Sequence, residues 1–211
     1  IGQRRLSIND LQKGRQPISN EQDNLHLICN GEIYNSPELR KQLEEKGHRF
    51  KTNSDVEVIL HLYEEHGADC VTWLRGMFAF AIWDRNTNTL FLARDRLGIK
   101  PLYYSLVDTG ELIFGSELKA LREHPKFKNQ LDIYAIEDYF GFGYVPEPRS
   151  IYQGTYKLSP GHSLTVKLPV GELPQPHQYW DVPFGDVRHD DDQVAMDTLR
   201  EHMREAVDIR L

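Results

Sequence analysis

The sequence predicts an α+β protein of two stacked antiparallel sheets flanked by helices, on three observations. Met77 to Asp84 is almost continuously apolar, as expected of a strand covered on both faces. Two stretches of helical periodicity precede it, and two hairpin patterns follow it. At 211 residues, 39% hydrophobic and 27% charged, the chain is long enough for one sizeable core.

In chain order, Arg4-Arg5-Leu6-Ser7-Ile8 alternates and reads as a strand, and the polar stretch 12–24, with Gly14 and Pro17, reads as a loop. Leu25-His26-Leu27-Ile28-Cys29 is a short apolar run that stops at Asn30-Gly31-Glu32-Ile33-Tyr34-Asn35. An amide and a backbone N–H at a strand end can both point at one ligand oxygen. Asn-Gly is also the commonest short turn dipeptide, so a plain turn is the alternative.

Residues 37–46 read as a helix, with Ser36 as cap, Pro37 in the first turn and Gly47 at the left-handed exit. A second helix is expected from Val56 to His66, with Val56, Ile59, Leu60 and Tyr63 on one face, Gly67 as its stop and Asp55 at its start. Asn86-Thr87-Asn88 turns the 77–84 strand into 89–95. Residues 101–104 and 111–114 form a second hairpin around Asp108-Thr109-Gly110. A short helix from Ser116, a helix over 132–140 and extended segments over 151–158 and 162–168 follow. His162, alone after the Ser159-Pro160-Gly161 turn, is expected at the surface rather than in a catalytic role. The proline-rich stretch 169–190 reads as a linker, and 191–211 as an amphipathic helix carrying Ala195, Leu199, Met203, Val207 and Leu211 at a spacing of four.

A formal charge of −7 without a basic stripe argues against a nucleic acid partner. No apolar run reaches the ~20 residues that a bilayer span needs, so a membrane partner is not expected either and the cytoplasm is the expected compartment. Cys29 and Cys70 make neither a metal spacing nor a disulfide framework and are expected as plain thiols. Arg94-Asp95-Arg96 is expected to hold the following Gly98 turn through ion pairs, with coupling to a neighbouring domain as the second reading.

The hexapeptide 30–35 keeps specific company: Arg4 to Ile8 upstream, then Thr52-Asn53-Ser54-Asp55-Val56-Glu57, Arg75-Gly76-Met77-Phe78-Ala79-Phe80-Ala81 and Arg94 to Tyr104. Together, in this order, they resemble the class II glutamine amidotransferase domain of asparagine synthases of the bacterial glutamine-hydrolysing type. The resemblance implies a four-layer αββα sandwich of the N-terminal-nucleophile hydrolase type. It also implies that Asn30 and Gly31 form an oxyanion hole, and that Arg5, Glu32 and Asp55 read the carboxylate and amino ends of glutamine, Arg5 the α-carboxylate and Asp55 the α-amino group. The nucleophile in that family is an N-terminal cysteine whose own α-amino group is the base. No residue here matches it, so the chain as written is expected to have little glutaminase activity, and Ile1 reads as following an upstream natural start.

By the same resemblance, residues 1–168 are the amidotransferase domain, 169–190 the linker and 191–211 the first helix of a synthetase domain. The amidotransferase domain is expected to need no cofactor and no metal. ATP and Mg would serve the synthetase domain, where ammonia would attack a β-aspartyl-AMP. The implied partners are glutamine, the chain's own C-terminal synthetase domain and a second copy in a homodimer. A related amidotransferase with another acceptor and a non-catalytic glutamine-binding domain are the alternatives.

Overall fold

The computed structural model describes residues 1–2, 15–185 and 191–210, which form two units, 1–180 and 181–211. The first unit opens with β1 (Ile18–Ser19) and β2 (Leu25–Ile33), then α1 (Ser36–Glu45) and α2 (Glu57–His66). A 3-10 turn over Gly67–Trp73 leads to the hairpin of β3 (Gly76–Asp84) and β4 (Thr89–Arg94), and then to β5 (Tyr103–Leu106) and β6 (Leu112–Gly115). Next come α3 (Leu118–Arg122), α4 (Ile133–Phe142), β7 (Thr155–Lys157), β8 (His162–Lys167) and β9 (His177–Gln178). The second unit holds α5 (Asp192–Asp208), whose side chains are half-buried or exposed throughout.

Two sheets result, a larger one in the order β1-β2-β3-β4-β8-β9 and a smaller one in the order β6-β5-β7, with every pairing antiparallel. Strand alternation divides the core. Leu27, Cys29, Phe78, Phe80, Ile82 and Phe91 meet Leu39 and Leu43 of α1, Ile59 and Leu62 of α2 and Val71 of the 3-10 turn. From the opposite face, Ala79, Ala81, Leu92 and Val166 meet Leu102, Tyr104 and Leu158 beside the smaller sheet. The expected stack of two antiparallel sheets with helices is thus observed. Small alanines on β3 face the second sheet and large phenylalanines face the helices, which explains why this strand is apolar throughout.

Several local expectations are corrected. Ser36 does not cap α1. It is the first helical residue, and Asn35 precedes it, spending its side chain on the segment that joins the 3-10 turn to β3: Nδ2 donates to Trp73 O (3.0 Å) and Oδ1 accepts from Arg75 N (2.9 Å). Asp55 does not cap α2, because Val56 stands between them and the Asp55 carboxylate turns to β2 instead. α4 runs to Phe142 rather than 140: Asp132 caps its start through Tyr134 N (3.0 Å), and the left-handed residue that ends it is Gly143. Much of its aromatic surface is exposed, Phe140 by 83%. The proline-rich stretch expected as linker is in part structured, since β9 pairs with β8 and the Tyr179 hydroxyl donates to Arg94 O at 2.6 Å. Composition reports the prolines but not this long-range anchor.

Candidate functional site

The end of β2 carries the site, and its hydrogen-bond parity shows why. Tyr34 N donates to Arg75 O, and Arg85 N donates to Asn24 O. Even-numbered β2 residues therefore bond β3, while the N–H groups of odd-numbered ones point to the opposite edge. On that edge the Gln16 side-chain amide closes both groups of Cys29, donating from Nε2 to Cys29 O (3.1 Å) and accepting Cys29 N at Oε1 (2.6 Å). Four residues on, Ile33 N donates to Asp55 Oδ2 at 2.8 Å. Gly31 lies between them. Among the described residues β1 pairs only as far along β2 as Leu27, and the Gly31 N–H projects from the edge beyond that pairing. It stands two residues, roughly 7 Å, from the N–H that Asp55 accepts.

Gly31 is required here by close approach, not by a positive φ. A Cβ on Gly31 would stand 2.2 Å from Met77 O and 2.7 Å from Phe78 Cα. Gly76 mirrors it on β3, where a Cβ would stand 2.2 Å from Glu32 O. The two glycines let β2 and β3 converge at the site. Asn30 and Glu32 are half-buried and share the other face of β2, where alternation places residues i and i+2 together. Asp55 is half-buried too. The structure thus brings Asn30, Gly31, Glu32 and Asp55 to one strand end, while Arg5 lies outside the described residues.

Behind this end, Asp95 replaces a strand. Its N–H donates to Phe78 O (2.8 Å), and its buried carboxylate accepts from Phe78 N (3.2 Å), Leu97 N (3.1 Å), Ile99 N (2.9 Å) and Lys100 N (2.9 Å). Arg94, also buried, donates to the carbonyls of Lys100 (2.8 Å), Leu158 (2.7 Å) and Gly98 (2.7 Å). Gly98 has a φ of +67°, and a Cβ there would meet the Arg94 guanidinium at 3.0 Å. The structural reading of this cluster holds, with one correction. Backbone carbonyls and N–H groups, rather than ion pairs, satisfy most of it, and Glu147 at 3.4 Å is the Arg94 counter-ion.

Sequence reasoning missed Glu57, whose buried carboxylate accepts from Lys51 N (2.7 Å), Thr52 N (2.8 Å) and Thr52 Oγ1 (2.5 Å). One turn on, His61 Nε2 lies 3.8 Å from Glu57, and His61 Nδ1 lies 2.7 Å from Glu64. Burial alone would push the imidazole down. The Glu57 and Glu64 carboxylates outweigh it and raise it to about 9. Burial likewise opposes the two carboxylates, yet the His61 imidazole beside both, the hydrogen bonds of Thr52 and Lys51 to Glu57 and those of His61 and Asn20 to Glu64 hold both below the ordinary range. Glu21, His48 and His61 come close enough to suggest a metal site. The donor set fits protons better, because both nitrogens of His48 face Glu64 (3.4 Å) and Glu65 (3.0 Å), and both of His61 face carboxylates as well.

Neither cysteine resembles a nucleophile. Both are buried, Cys29 inside β2 and Cys70 in the 3-10 turn, where burial pushes the thiol up strongly. His162 is half-buried with Nδ1 held 2.7 Å from Pro160 O, and so has no catalytic partner among the described residues.

Comparison with known proteins places this geometry in a family. The chain is 44% identical to asparagine synthetase [glutamine-hydrolyzing] 3 of Bacillus subtilis (strain 168) over 78% of its own length and 27% of that protein. It is 39% identical to asparagine synthetase [glutamine-hydrolyzing] 1 of the same organism over 99% of its length and 34% of that protein. The chain therefore spans about a third, or less, of these curated relatives. Among solved structures, a glutamine phosphoribosylpyrophosphate amidotransferase from B. subtilis superposes with a TM-score of 0.54 and 22% identity, covering 79% of this chain and 32% of that one, a likeness of fold. The model of the glutamine amidotransferase domain matches residues 1–180, which contain the whole strand-end arrangement, and the chain belongs to that family.

Proposed function

We propose that this domain hydrolyses glutamine to glutamate and ammonia as the glutaminase part of an asparagine synthase. The observation that carries the reading is the Gly31 N–H, projected from an edge of β2 that β1 leaves open among the described residues, next to Asn30 on the same strand. An amide carbonyl under attack develops negative charge on oxygen, and two such donors would hold that charge where it forms. Asp55 would accept the substrate α-amino group, Arg5 its α-carboxylate, and Glu32 would complete the polar lining. Cys29 and Cys70 are both buried, so the thiolate would come from an N-terminal cysteine with its own α-amino group as base, as the resemblance implies.

The names of the relatives support asparagine synthesis coupled to glutamine hydrolysis, a carbon–nitrogen ligase activity. By the family resemblance, ATP-dependent amidation of aspartate would take place in a partner domain, where ATP and Mg would act. We place the protein in the cytoplasm as a homodimer. No helix among the described residues is long and apolar enough to cross a membrane. The test is glutaminase turnover of the full-length protein carrying Asn30→Ala. Loss of one oxyanion donor should lower kcat by about 100- to 1,000-fold with little change in KM. An unchanged kcat would refute the assignment.

A further inference from the structure

We infer that Glu57 is a positioning residue for glutamine binding, which it serves by holding the 51–55 loop that presents Asp55. The inference rests on the reading of Asp55 as the group that receives the substrate α-amino end.

Asp55 makes one described hydrogen bond, to Ile33 N, and its backbone position depends on the four residues before it. Lys51, Asn53 and Asp55 of that loop are exposed or half-buried, while Thr52 and Ser54 are buried. One buried carboxylate gathers several of its hydrogen bonds. The two Glu57 oxygens accept Lys51 N, Thr52 N and Thr52 Oγ1, and the Thr52 hydroxyl in turn accepts Ser54 N at 3.1 Å. Glu57 N returns a bond to Ser54 O (3.3 Å), which also accepts Arg40 Nη2 (3.1 Å). A chain of hydrogen bonds thus runs from the first turn of α2 to the residue that adjoins Asp55.

Glu57 is 1% exposed, so its charge is kept in the core, and such a charge persists only when paired and hydrogen-bonded. Its partner is His61 on the next turn, itself held by Glu64, whose Oε1 accepts Asn20 Nδ2 at 2.7 Å. A glutamine at position 57 would keep the volume but turn NH2 donors toward N–H donors, so at least one loop contact would become repulsive. The loop would loosen while β2, Asn30 and Gly31 stay in place, because Gln16, β3 and Asp95 hold them independently. The affected quantity is therefore recognition of the amino end, not charge stabilisation at the reacting carbonyl.

The test measures glutaminase kinetics of the full-length protein with two substrates, glutamine and glutaramate, its analogue without the α-amino group. Glu57→Gln should raise KM for glutamine about tenfold, leave kcat within about threefold and leave kcat/KM for glutaramate unchanged, as expected when orientation of one contact is lost. Asp55→Asn should show the same substrate dependence. A Glu57→Gln penalty equal for both substrates, or no penalty with glutamine, would overturn the positioning role. Asp55→Asn without amino-group dependence would instead overturn the reading on which it rests. Should Glu57→Gln not fold, Thr52→Val removes only the hydroxyl link and carries the test, with a smaller rise in KM confined to glutamine. An equal change with both substrates would refute it.

Discussion

Replacing Gly31 by alanine tests the link between strand convergence and the site most directly. The added methyl would lie 2.2 Å from Met77 O and 2.7 Å from Phe78 Cα. Ordinary carbon contacts lie near 3.5 Å, so the strands must part locally by about 1 Å. Both contacts are backbone atoms, which have no rotamer to change. The flanking pairs Asn30–Ala79 and Glu32–Met77 carry ladder hydrogen bonds that this separation would stretch beyond bonding length. Losing two to four bonds, at about 0.5–1.5 kcal/mol net each, amounts to about 1–6 kcal/mol, with a middle value of about 3. For a domain of this size, 1 kcal/mol shifts Tm by about 2–4 °C, so Tm should fall by about 10 °C. The Gly31 N–H moves with its strand, and kcat for glutamine should fall by about 100-fold. Gly76→Ala, whose methyl would lie 2.2 Å from Glu32 O, should lower Tm similarly but spare more of kcat, because Gly76 offers no donor to the substrate. Thermal unfolding and glutaminase turnover of the full-length variants decide the matter. A Gly31→Ala protein that melts within about 2 °C of its parent with kcat intact would refute the reasoning.

Two further outcomes follow from the buried charges. The His61 imidazole is raised from its ordinary 6.5 to about 9, so its contribution to stability is fully present below pH 6.5 and lost as pH rises through 9. Glu57 and Glu64 are lowered from 4.5, so their contribution is present above that value and lost as pH falls below it. Tm should therefore be highest between roughly pH 5 and 7, and His61→Gln should flatten the decline on the alkaline side; an unaltered decline would refute the pairing. Asp95→Ala strands four backbone N–H groups, one in β3 and three in the turn after β4, and should cost about 3–5 kcal/mol, read as a lower urea midpoint with an unchanged slope.

Much of the fold was legible because its signals are local. The 77–84 run, the hairpin around 86–88 and the helix stops at Gly47 and Gly67 depend on neighbouring residues and backbone conformation, and the structure has each of them. The hexapeptide 30–35 was recognisable for the same reason, since an apolar run ending in an amide, a glycine and a carboxylate is a pattern in the chain itself. The sequence could not show what the polar side chains near it bond to. Asn35, Asp55, Asp95 and Glu57 all sit where local rules suggest caps, turns or solvated charges. In the structure they satisfy backbone groups of other segments, at separations of 40, 22, 17 and 6 residues.

By itself, the sequence determined the α+β class, the family resemblance and the residues to inspect, because periodicity and motif order are properties of the chain. Only the tertiary structure decided which edge of β2 the Gly31 N–H points to, why Gly31 and Gly76 must both lack a side chain, and that Glu57 bonds the loop bearing Asp55. The reason is physical: a hydrogen bond or a close backbone approach is defined by two partners, and their distance is set by the packing of the whole core.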